Sequence, residues 1–218
     1  MSDPSDAGPP GLCDAPAQTD ALLHEIDHRV KNNLQLVASL ILLQNRRATD
    51  EAARAALGSV LARVNAVATV HRRLFQGDPS SFDVADFVRD LAGDLAAAAR
   101  RDDLEIALDL DRVCVPAAAA APLALVVNEL LGNALKHAFP PPRGGRIAVS
   151  LRGGEGSCRL SIADDGIGLG GQPPGFGLTV VKLLCQQLHA EFEIADTAPG
   201  VRASVAVPIA APMAVRAS

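Results

Sequence analysis

A histidine surrounded by polar side chains lies in the first long apolar repeat of the sequence. Apolar residues recur in steps of three and four from Leu23 to Ile41, which is the period of an amphipathic helix. His28 lies about 200° around that helix from Ile26, at roughly 100° per residue, so it points away from the apolar stripe. A neutral imidazole there can act as a nucleophile or move a proton, whereas the alternative is a solvated helix face. Its polar neighbours within one turn include Glu25, Asp27 and Asn32.

A second polar group follows the helical period after Pro122, a residue type that commonly begins helices. Apolar side chains between Leu123 and Ala138 predict a buried face, and the opposite face carries a carboxylate, an amide and two basic groups. Such a set can hold Mg²⁺ and the phosphates that it bridges, because Mg²⁺ prefers hard oxygen ligands and water. The wet face of an ordinary amphipathic helix is the alternative. The polar side chains are Glu129, Asn133, Lys136 and His137.

Two glycine-rich turns complete the residues that could bind a ligand. In the first turn a strand pattern ends in a carboxylate, which can accept a hydrogen bond from an exocyclic amine such as that of adenine. The glycines that follow let the backbone approach a flat ring. The second turn opens a helix, where free N–H groups favour a phosphate. The first turn contains Asp164, Gly166 and Gly168, and the second contains Gly175, Gly177 and Leu178.

Helical periodicity predicts the element that positions the histidine. Two helices are expected within residues 19–77, and the short polar connection between them around Thr49 and Asp50 makes them an antiparallel hairpin. A hairpin alone leaves its apolar stripe half covered, so we predict a homodimer that completes a four-helix bundle. His71 falls on the apolar seam of the second helix and is predicted to be a packed residue.

Residues 80–209 alternate between helix and strand patterns and form the second predicted domain. Helices are expected over Asp83–Arg100, from Pro122 to about Ala138, and over Leu178–Leu188. Strands are expected over Leu104–Leu110, Ile147–Leu151, Arg159–Ala163, Phe192–Ala195 and Ala203–Val207. The fold class is therefore α+β, a helical hairpin followed by an α/β sandwich with helices on one face of a mixed, mostly antiparallel sheet. Residues 1–18 are rich in proline and predicted to be disordered, and 210–218 form a tail.

Composition excludes several classes of partner. The net charge is -5, aromatic residues make up 3% of the sequence and Trp and Tyr are absent, so neither nucleic acid nor an anionic membrane is an expected partner. The four cysteines are far apart and lack zinc-site spacing, which predicts reduced thiols in a cytoplasmic protein. We find no apolar run of about 20 residues and no signal peptide.

Four segments resemble the characteristic boxes of a known family. The run from His28 to Gln35, H-R-V-K-N-N-L-Q, resembles the phosphoacceptor box of bacterial sensor histidine kinases related to the HWE group. Asn128 to Ala138 resembles the N box of their GHKL (Bergerat) ATP-binding domain. Asp164 to Gly168 resembles its G1 box, and Gly175 to Leu178 its G2 box. The resemblance covers roughly residues 20–208, with the boxes in the family's order.

The resemblance implies a role for each candidate residue. His28 would be the phosphoacceptor, Asn133 the Mg²⁺ ligand, and Glu129 a group near the metal or its waters. Asp164 would bind the adenine amine of ATP. The glycines and the start of the last helix would shape the pocket and lid, and two basic residues would lie near the phosphates. These are Gly166, Gly168, Gly175, Gly177 and Leu178, with Lys136 and His137.

The implied reaction is ATP-dependent autophosphorylation of His28, followed by transfer to an aspartate on the receiver domain of a response regulator. Either Glu25 or Asp27 could orient the ring or take its second proton, and the sequence does not decide between them. Asn32 could position water for the reverse, phosphatase-type reaction. One rival is a histidine phosphotransfer adaptor with little ATP-dependent activity, and another is a GHKL serine kinase or ATPase.

Three departures from the family pattern shape these expectations. Asp27 stands where family members commonly have a second histidine. The lid between the two glycine boxes has only six residues, 169–174, so loose ATP binding is expected. The 18 residues before the hairpin are too few for a sensor domain of on the order of 100 residues, so a separate sensor protein is a candidate partner.

Overall fold

The computed structural model describes residues 15–76, 80–170 and 175–209. Two long helices, α1 (Ala15–Arg47) and α2 (Glu51–Gln76), form the expected hairpin. Asp50 precedes α2 as its N-cap, and its Oδ2 accepts a hydrogen bond from the Ala53 N–H at 2.8 Å. Residues 15–18, predicted to be disordered, belong to α1. The rest of that tail, the 77–79 part of the linker, lid residues 171–174 and the tail 210–218 lie outside the described residues.

The first helix carries apolar side chains on two of its faces. Val30, Leu34 and Ile41 are partly buried along the hairpin seam, as the periodicity predicts. Val37, in the same stripe, is 43% exposed, in keeping with a stripe that a single hairpin covers only in part. A second face is open to solvent: its leucines, with exposures of 60%, 54% and 44%, are Leu36, Leu40 and Leu43. On α2, His71 is half-buried with its ring centroid 4.6 Å from that of Phe75, consistent with a packed residue.

The second domain is a sandwich of three helices on a five-stranded sheet. Its elements in chain order are β1 (Ser81–Asp83), α3 (Val84–Ala99), β2 (Leu104–Leu110), β3 (Cys114–Pro116), α4 (Ala117–Asn133), a π-helical turn (Ala134–Ala138), β4 (Gly145–Gly154), β5 (Ser157–Asp164), α5 (Phe176–Gln187), β6 (Glu191–Asp196) and β7 (Val201–Pro208). The sheet order is β2-β4-β5-β7-β6, with one parallel pair, β2 and β4, and three antiparallel pairs. The α+β prediction is confirmed.

Two differences from the predicted elements have local causes. The helix predicted to begin at Pro122 begins five residues earlier, because Ala117 to Ala121 are all strong helix formers and Pro122 removes only one N–H donor. The short strands β1 and β3 pair as a separate two-stranded ribbon. Three residues are too few to show a strand period, so the sequence pattern missed both.

The core lies between the helices and one face of the sheet. Alternate residues of the three central strands are buried against α4 and α5. In the described part of the chain, the segment Ala117–Ala138 is long and apolar enough to cross a membrane, but 61% of its apolar window is buried inside the sandwich. It is the core helix of this domain, and its polar face positions the residues considered next.

Candidate functional site

A cavity of about 390 Å³ opens between α4, the sheet and the start of α5. Apolar residues of the sheet, Ile162, Ile194 and Ala203, form its floor. The polar lining comes from the predicted motifs: Asn133, His137, Asp164, Gly168, Gly175 and Gly177, with Leu178 beside them. An apolar slot with few polar groups is the usual character of a small-molecule site. The cavity is open, as binding of a nucleotide would require.

The carboxylate of Asp164 is fixed at the end of β5. Its Oδ1 accepts hydrogen bonds from the backbone N–H of Gly166 at 3.0 Å and of Val201 at 3.3 Å. Burial raises the pKa of Asp164 above its ordinary value, the two N–H donors partly offset that rise, and the nearby charge of Asp165 adds a smaller one. The side chain is therefore oriented by the backbone and half-buried in the cavity wall, where it can accept a hydrogen bond from a ligand.

Backbone packing around Asp164 requires glycine at several positions. A Cβ added to Gly200, which has φ of +85°, would overlap the carbonyl oxygen of Asp164, and one added to Gly166 would overlap that of Ala138. Gly168 has φ of +80°, and its added Cβ would lie 2.8 Å from Oδ1 of Asp196, which itself accepts from the Leu169 N–H at 2.7 Å. The predicted glycines Gly166 and Gly168 thus hold the cavity wall in place.

The other end of the cavity combines the start of α5 with α4. Gly175 precedes α5 in extended conformation, and no side-chain hydrogen bond caps this described helix start. Its N–H groups can therefore bind an anion. A Cβ on Gly177 would lie 2.8 Å from Oε2 of Glu129 and 3.5 Å from Oδ1 of Asn133. Glycine at this position lets the helix start approach the two proposed metal ligands.

Glu129 and Lys136 contact the helical hairpin. Nε and Nη2 of Arg63, on α2, donate to the two carboxylate oxygens of Glu129 at 2.8 and 2.9 Å. Lys136 is exposed, and its Nζ lies 3.4 Å from Oγ of Ser59 on α2. Neither side chain lines the cavity, whereas Asn133 and His137 do. The polar stripe of α4 is therefore divided between the cavity and the hairpin.

The residues present fit a magnesium ion that is shared with a ligand. Among the described residues no three His, Cys, Asp or Glu side chains gather into a metal site. The amide of Asn133 lines the cavity beside the carboxylate of Glu129, and both lie next to the start of α5. One amide and one carboxylate supply too few ligands for octahedral Mg²⁺, so phosphate oxygens and water would complete the set.

On the hairpin, the His28 ring is exposed on α1. The Asn32 side-chain amide lies one turn ahead, with Nδ2 3.1 Å from Nδ1 of His28, so it can hold the exposed ring through Nδ1. Glu25 forms an ion pair with Arg29 at 2.6 Å. Asp27 belongs to α1, but its side chain lies outside the described part of the structure.

The sequence analysis missed three residues of this arrangement. Arg63 is the only charged residue between Arg54 and His71, and its isolation in an apolar helix was an available signal. Asp196 and Gly200 flank a Pro-Gly turn that lies far from the other motifs in sequence. Only the pairing of β7 with β5 brings that turn to Asp164, so no local pattern identifies it.

A helical hairpin with an exposed histidine, joined to a sandwich with an open cavity between helix and sheet, is the arrangement of a histidine kinase catalytic core. Two family models match the chain. The first, described as histidine kinase (HisKA_2), matches residues 25–99. The second, described as histidine kinase-, DNA gyrase B- and HSP90-like ATPase, matches residues 118–211. The chain therefore carries the two domains of histidine kinases, HisKA_2 and the HSP90-like ATPase domain, as the four sequence boxes predict.

Curated relatives agree with this family. The sensor histidine kinase PdtaS of Mycobacterium tuberculosis is 36% identical over 169 residues, which are 73% of this chain and 32% of that protein. The blue-light-activated histidine kinase 2 of Erythrobacter litoralis is 27% identical over 208 residues, or 90% of this chain and 59% of that protein. The chain thus spans about a third of the first relative and somewhat more than half of the second.

Solved structures show the same fold. The histidine kinase domain of the Erythrobacter litoralis blue-light activated histidine kinase has a TM-score of 0.65 and 24% identity, covering 90% of this chain and 94% of that one. The mycobacterial sensor histidine kinase MprB has a TM-score of 0.51 and 22% identity over 59% of this chain and 96% of that one. The first comparison includes both hairpin and sandwich.

Proposed function

We propose that this chain autophosphorylates His28 from ATP and passes the phosphoryl group to an aspartate on a response regulator receiver domain. The observation that carries the proposal is the open cavity with Asp164 at one end and the uncapped start of α5 at the other. A nucleotide has an amine at one end and phosphates at the other, which matches this polarity. The same chain presents an exposed histidine on α1.

Within the cavity, each residue has a task that follows from its position. Asp164 would accept the adenine amine, and the apolar floor around Ile162 would take the ring. The N–H groups after Gly175 would bind phosphate oxygens. Asn133 and Glu129 would hold Mg²⁺, which supplies charge neutralisation during phosphoryl transfer. His137 lines the cavity, and Lys136 would reach the phosphates only after leaving Ser59.

At the phosphoacceptor, the contacts favour Asn32 as the residue that orients the ring. Its amide can donate to Nδ1 of His28 or, after rotating by half a turn, accept from a protonated Nδ1. The second arrangement leaves a lone pair on Nε2, the other ring nitrogen, for attack on the γ-phosphorus. Glu25 is held by Arg29 in this structure, so a role as base would require that ion pair to open. Asp27 stays the other candidate.

The partners are proposed on the same basis. Exposed Leu36, Leu40 and Leu43 form a continuous apolar face of α1, and a second hairpin covering it would make the four-helix bundle of a homodimer. A receiver domain would dock where His28 is exposed. Input through a separate sensor protein would act on the hairpin, and a cytoplasmic location agrees with reduced cysteines: Cys114, Cys158 and Cys185 are free.

The experiment is incubation of the pure chain with γ-labelled ATP and Mg²⁺. We expect acid-labile, alkali-stable label on the wild-type chain and on His24→Ala, and none on His28→Ala. Label accepted from a phosphorylated regulator but not from ATP would instead make the chain a phosphotransfer adaptor. ATP turnover that is indifferent to His28→Ala would indicate a GHKL enzyme acting on another protein. A monomeric mass in solution would contradict the dimer.

A further inference from the structure

One ion pair joins the helical hairpin to the proposed phosphate end of the cavity. Arg63 contacts both carboxylate oxygens of Glu129, and the two side chains are only 17% and 8% exposed. The Arg63 guanidinium also lies 5.2 Å from the ring centroid of Phe176, the first residue of α5. Arg63 therefore contacts both elements that the phosphates would approach, α4 and the start of α5.

This pair competes with the proposed metal site for one carboxylate. A bidentate pair uses both oxygens of Glu129, so a cation at Asn133 could share Glu129 only after Arg63 withdraws at least partly. Conversely, a docked Glu129 without Arg63 would be a buried, unpaired charge, which is strongly unfavourable. Docking of the sandwich on α2 therefore weakens metal binding by Glu129, and metal binding weakens docking.

The position of the pair on the hairpin also separates it from the phosphoacceptor. The Asn45 side chain donates to the carbonyl of Arg54 at 2.7 Å, which fixes the register of the antiparallel helices. Counting along both helices from that contact, His28 is level with about His71 of α2. Arg63 is thus on the order of 12 Å away along the hairpin axis at 1.5 Å per residue.

The apolar contact between α2 and the core of the sandwich lies nearer the linker. Val70 belongs to the core of the sandwich and is 2% exposed. Arg63 lies seven residues before it, roughly 10 Å farther from the linker along the helix. The ion pair, together with the Lys136–Ser59 contact farther along α2, thus holds the end of the docked surface that lies farthest from the linker.

We infer that Arg63 is a positioning residue, an inference that rests on the proposed function. Through Glu129, Arg63 holds the nucleotide domain docked on α2, and we call this docked arrangement the parked pose. Magnesium-nucleotide binding competes with Arg63 for that carboxylate and frees the domain to move along the hairpin. By linkage, weakening the Arg63–Glu129 pair strengthens binding of the magnesium complex. This coupling regulates access of the nucleotide to a phosphoacceptor in the same chain or in a second copy.

Calorimetric titration with the non-hydrolysable analogue AMP-PNP tests the coupling in the full chain. We expect Arg63→Gln to bind the analogue about 5- to 20-fold more tightly than wild type with Mg²⁺, within the range typical of coupled sites. With EDTA in place of Mg²⁺ the two should agree within about twofold, because only the metal complex needs Glu129. Arg63→Lys, which keeps the charge but not the bidentate geometry, should lie between them. Arg72→Gln is the matched control, because its guanidinium contacts Thr69 on the same helix.

A fluorescence reporter gives a readout of the parked pose itself. The sequence contains no tryptophan, so Phe176→Trp introduces a single emitter beside Arg63. We expect magnesium-AMP-PNP to shift its emission, and the double variant Phe176→Trp, Arg63→Gln to show most of that shift before nucleotide is added. Circular dichroism melting of each variant confirms that the chain is folded.

Distinct results would overturn distinct claims. The role of Arg63 alone would be overturned if Arg63→Gln left the affinity for magnesium-AMP-PNP unchanged or lowered it. A rise in affinity that is equally large with EDTA would overturn it as well. The role of Arg63 would also be overturned if the Phe176→Trp chain and the double variant had the same emission both before and after nucleotide is added. Failure of every folded variant to bind the analogue would overturn the proposed function, and the inference with it.

Discussion

The cavity and the helix of the proposed phosphoacceptor differ in how firmly their side chains are held. Around Asp164, backbone N–H donors fix the carboxylate and glycines pack against carbonyl oxygens with no room for a side chain. Around His28, one amide on an exposed helix face contacts the ring. A pocket must keep its shape for a ligand, whereas a phosphoacceptor must reach two different partners. Substitutions should therefore damage fold and binding together in the cavity, but only the reaction on the helix.

The largest effect is expected from Gly200→Ala. Its positive φ strains any L side chain, and its Cβ would overlap the carbonyl oxygen of Asp164, so we expect a loss of on the order of 2–5 kcal/mol of stability. Nucleotide binding should be lost with it, since Val201 and Asp164 would move apart. Urea unfolding followed by circular dichroism measures the first effect and AMP-PNP titration the second.

Gly170→Ala is the matched control for that substitution. Gly170 also has positive φ, +58°, but an added Cβ would meet nothing within 4 Å. It should cost only about 1–2 kcal/mol of conformational strain. Equal losses in the two variants would show that the close packing behind Asp164 does not determine the stability of the cavity.

A smaller and purely functional effect is expected on the helix. Asn32→Ala removes the amide that contacts Nδ1 of His28, so the ring samples more orientations and autophosphorylation should slow about tenfold. Stability should change by less than about 0.5 kcal/mol, because the site is exposed. Initial rates of label incorporation give the first value and thermal unfolding the second. Asn33→Ala, also exposed, should leave the rate unchanged; a similar slowing there would contradict orientation by Asn32.

The same contrast explains how much the sequence could predict. Its pattern predicts the strand Leu104–Leu110 to the residue, because the alternating leucines and isoleucine carry the strand period. Asp164, Asn133 and the two glycine turns meet in one cavity as the order of the boxes implies. Local patterns are enough to predict a site residue where its task requires one residue type. A glycine packed against a carbonyl oxygen is one case, and a carboxylate at the end of a strand is another.

What the sequence could not predict depends on contacts between distant segments. Glu129 and Arg63 are 66 residues apart, and nothing in either helix indicates that they meet. The second apolar face of α1, with Leu36, Leu40 and Leu43, lies outside the predicted stripe, because a single helical period describes only one face. The π-helical turn after Asn133 likewise arises from packing, and such turns commonly occur at functional sites.

The smallest expected effect is a change in how stability depends on pH. Burial holds the pKa of Asp164 above its ordinary value, so the folded chain retains that proton to a higher pH than the unfolded chain does. The stabilisation is complete below the unfolded pKa of about 3.9 and is lost as the pH rises through the raised folded pKa. Asp164→Asn cannot ionise there, so its stability relative to wild type should increase over that interval and then level off. Urea midpoints measured from pH 4 to about pH 7 check this.

Asp165→Asn removes only the smaller charge repulsion and should keep most of the wild-type dependence, because burial is the first cause of the shift. A wild-type chain that instead gains stability over Asp164→Asn as the pH rises would mean that the N–H donors of Gly166 and Val201 outweigh burial, and that the cavity wall is built to hold a charge.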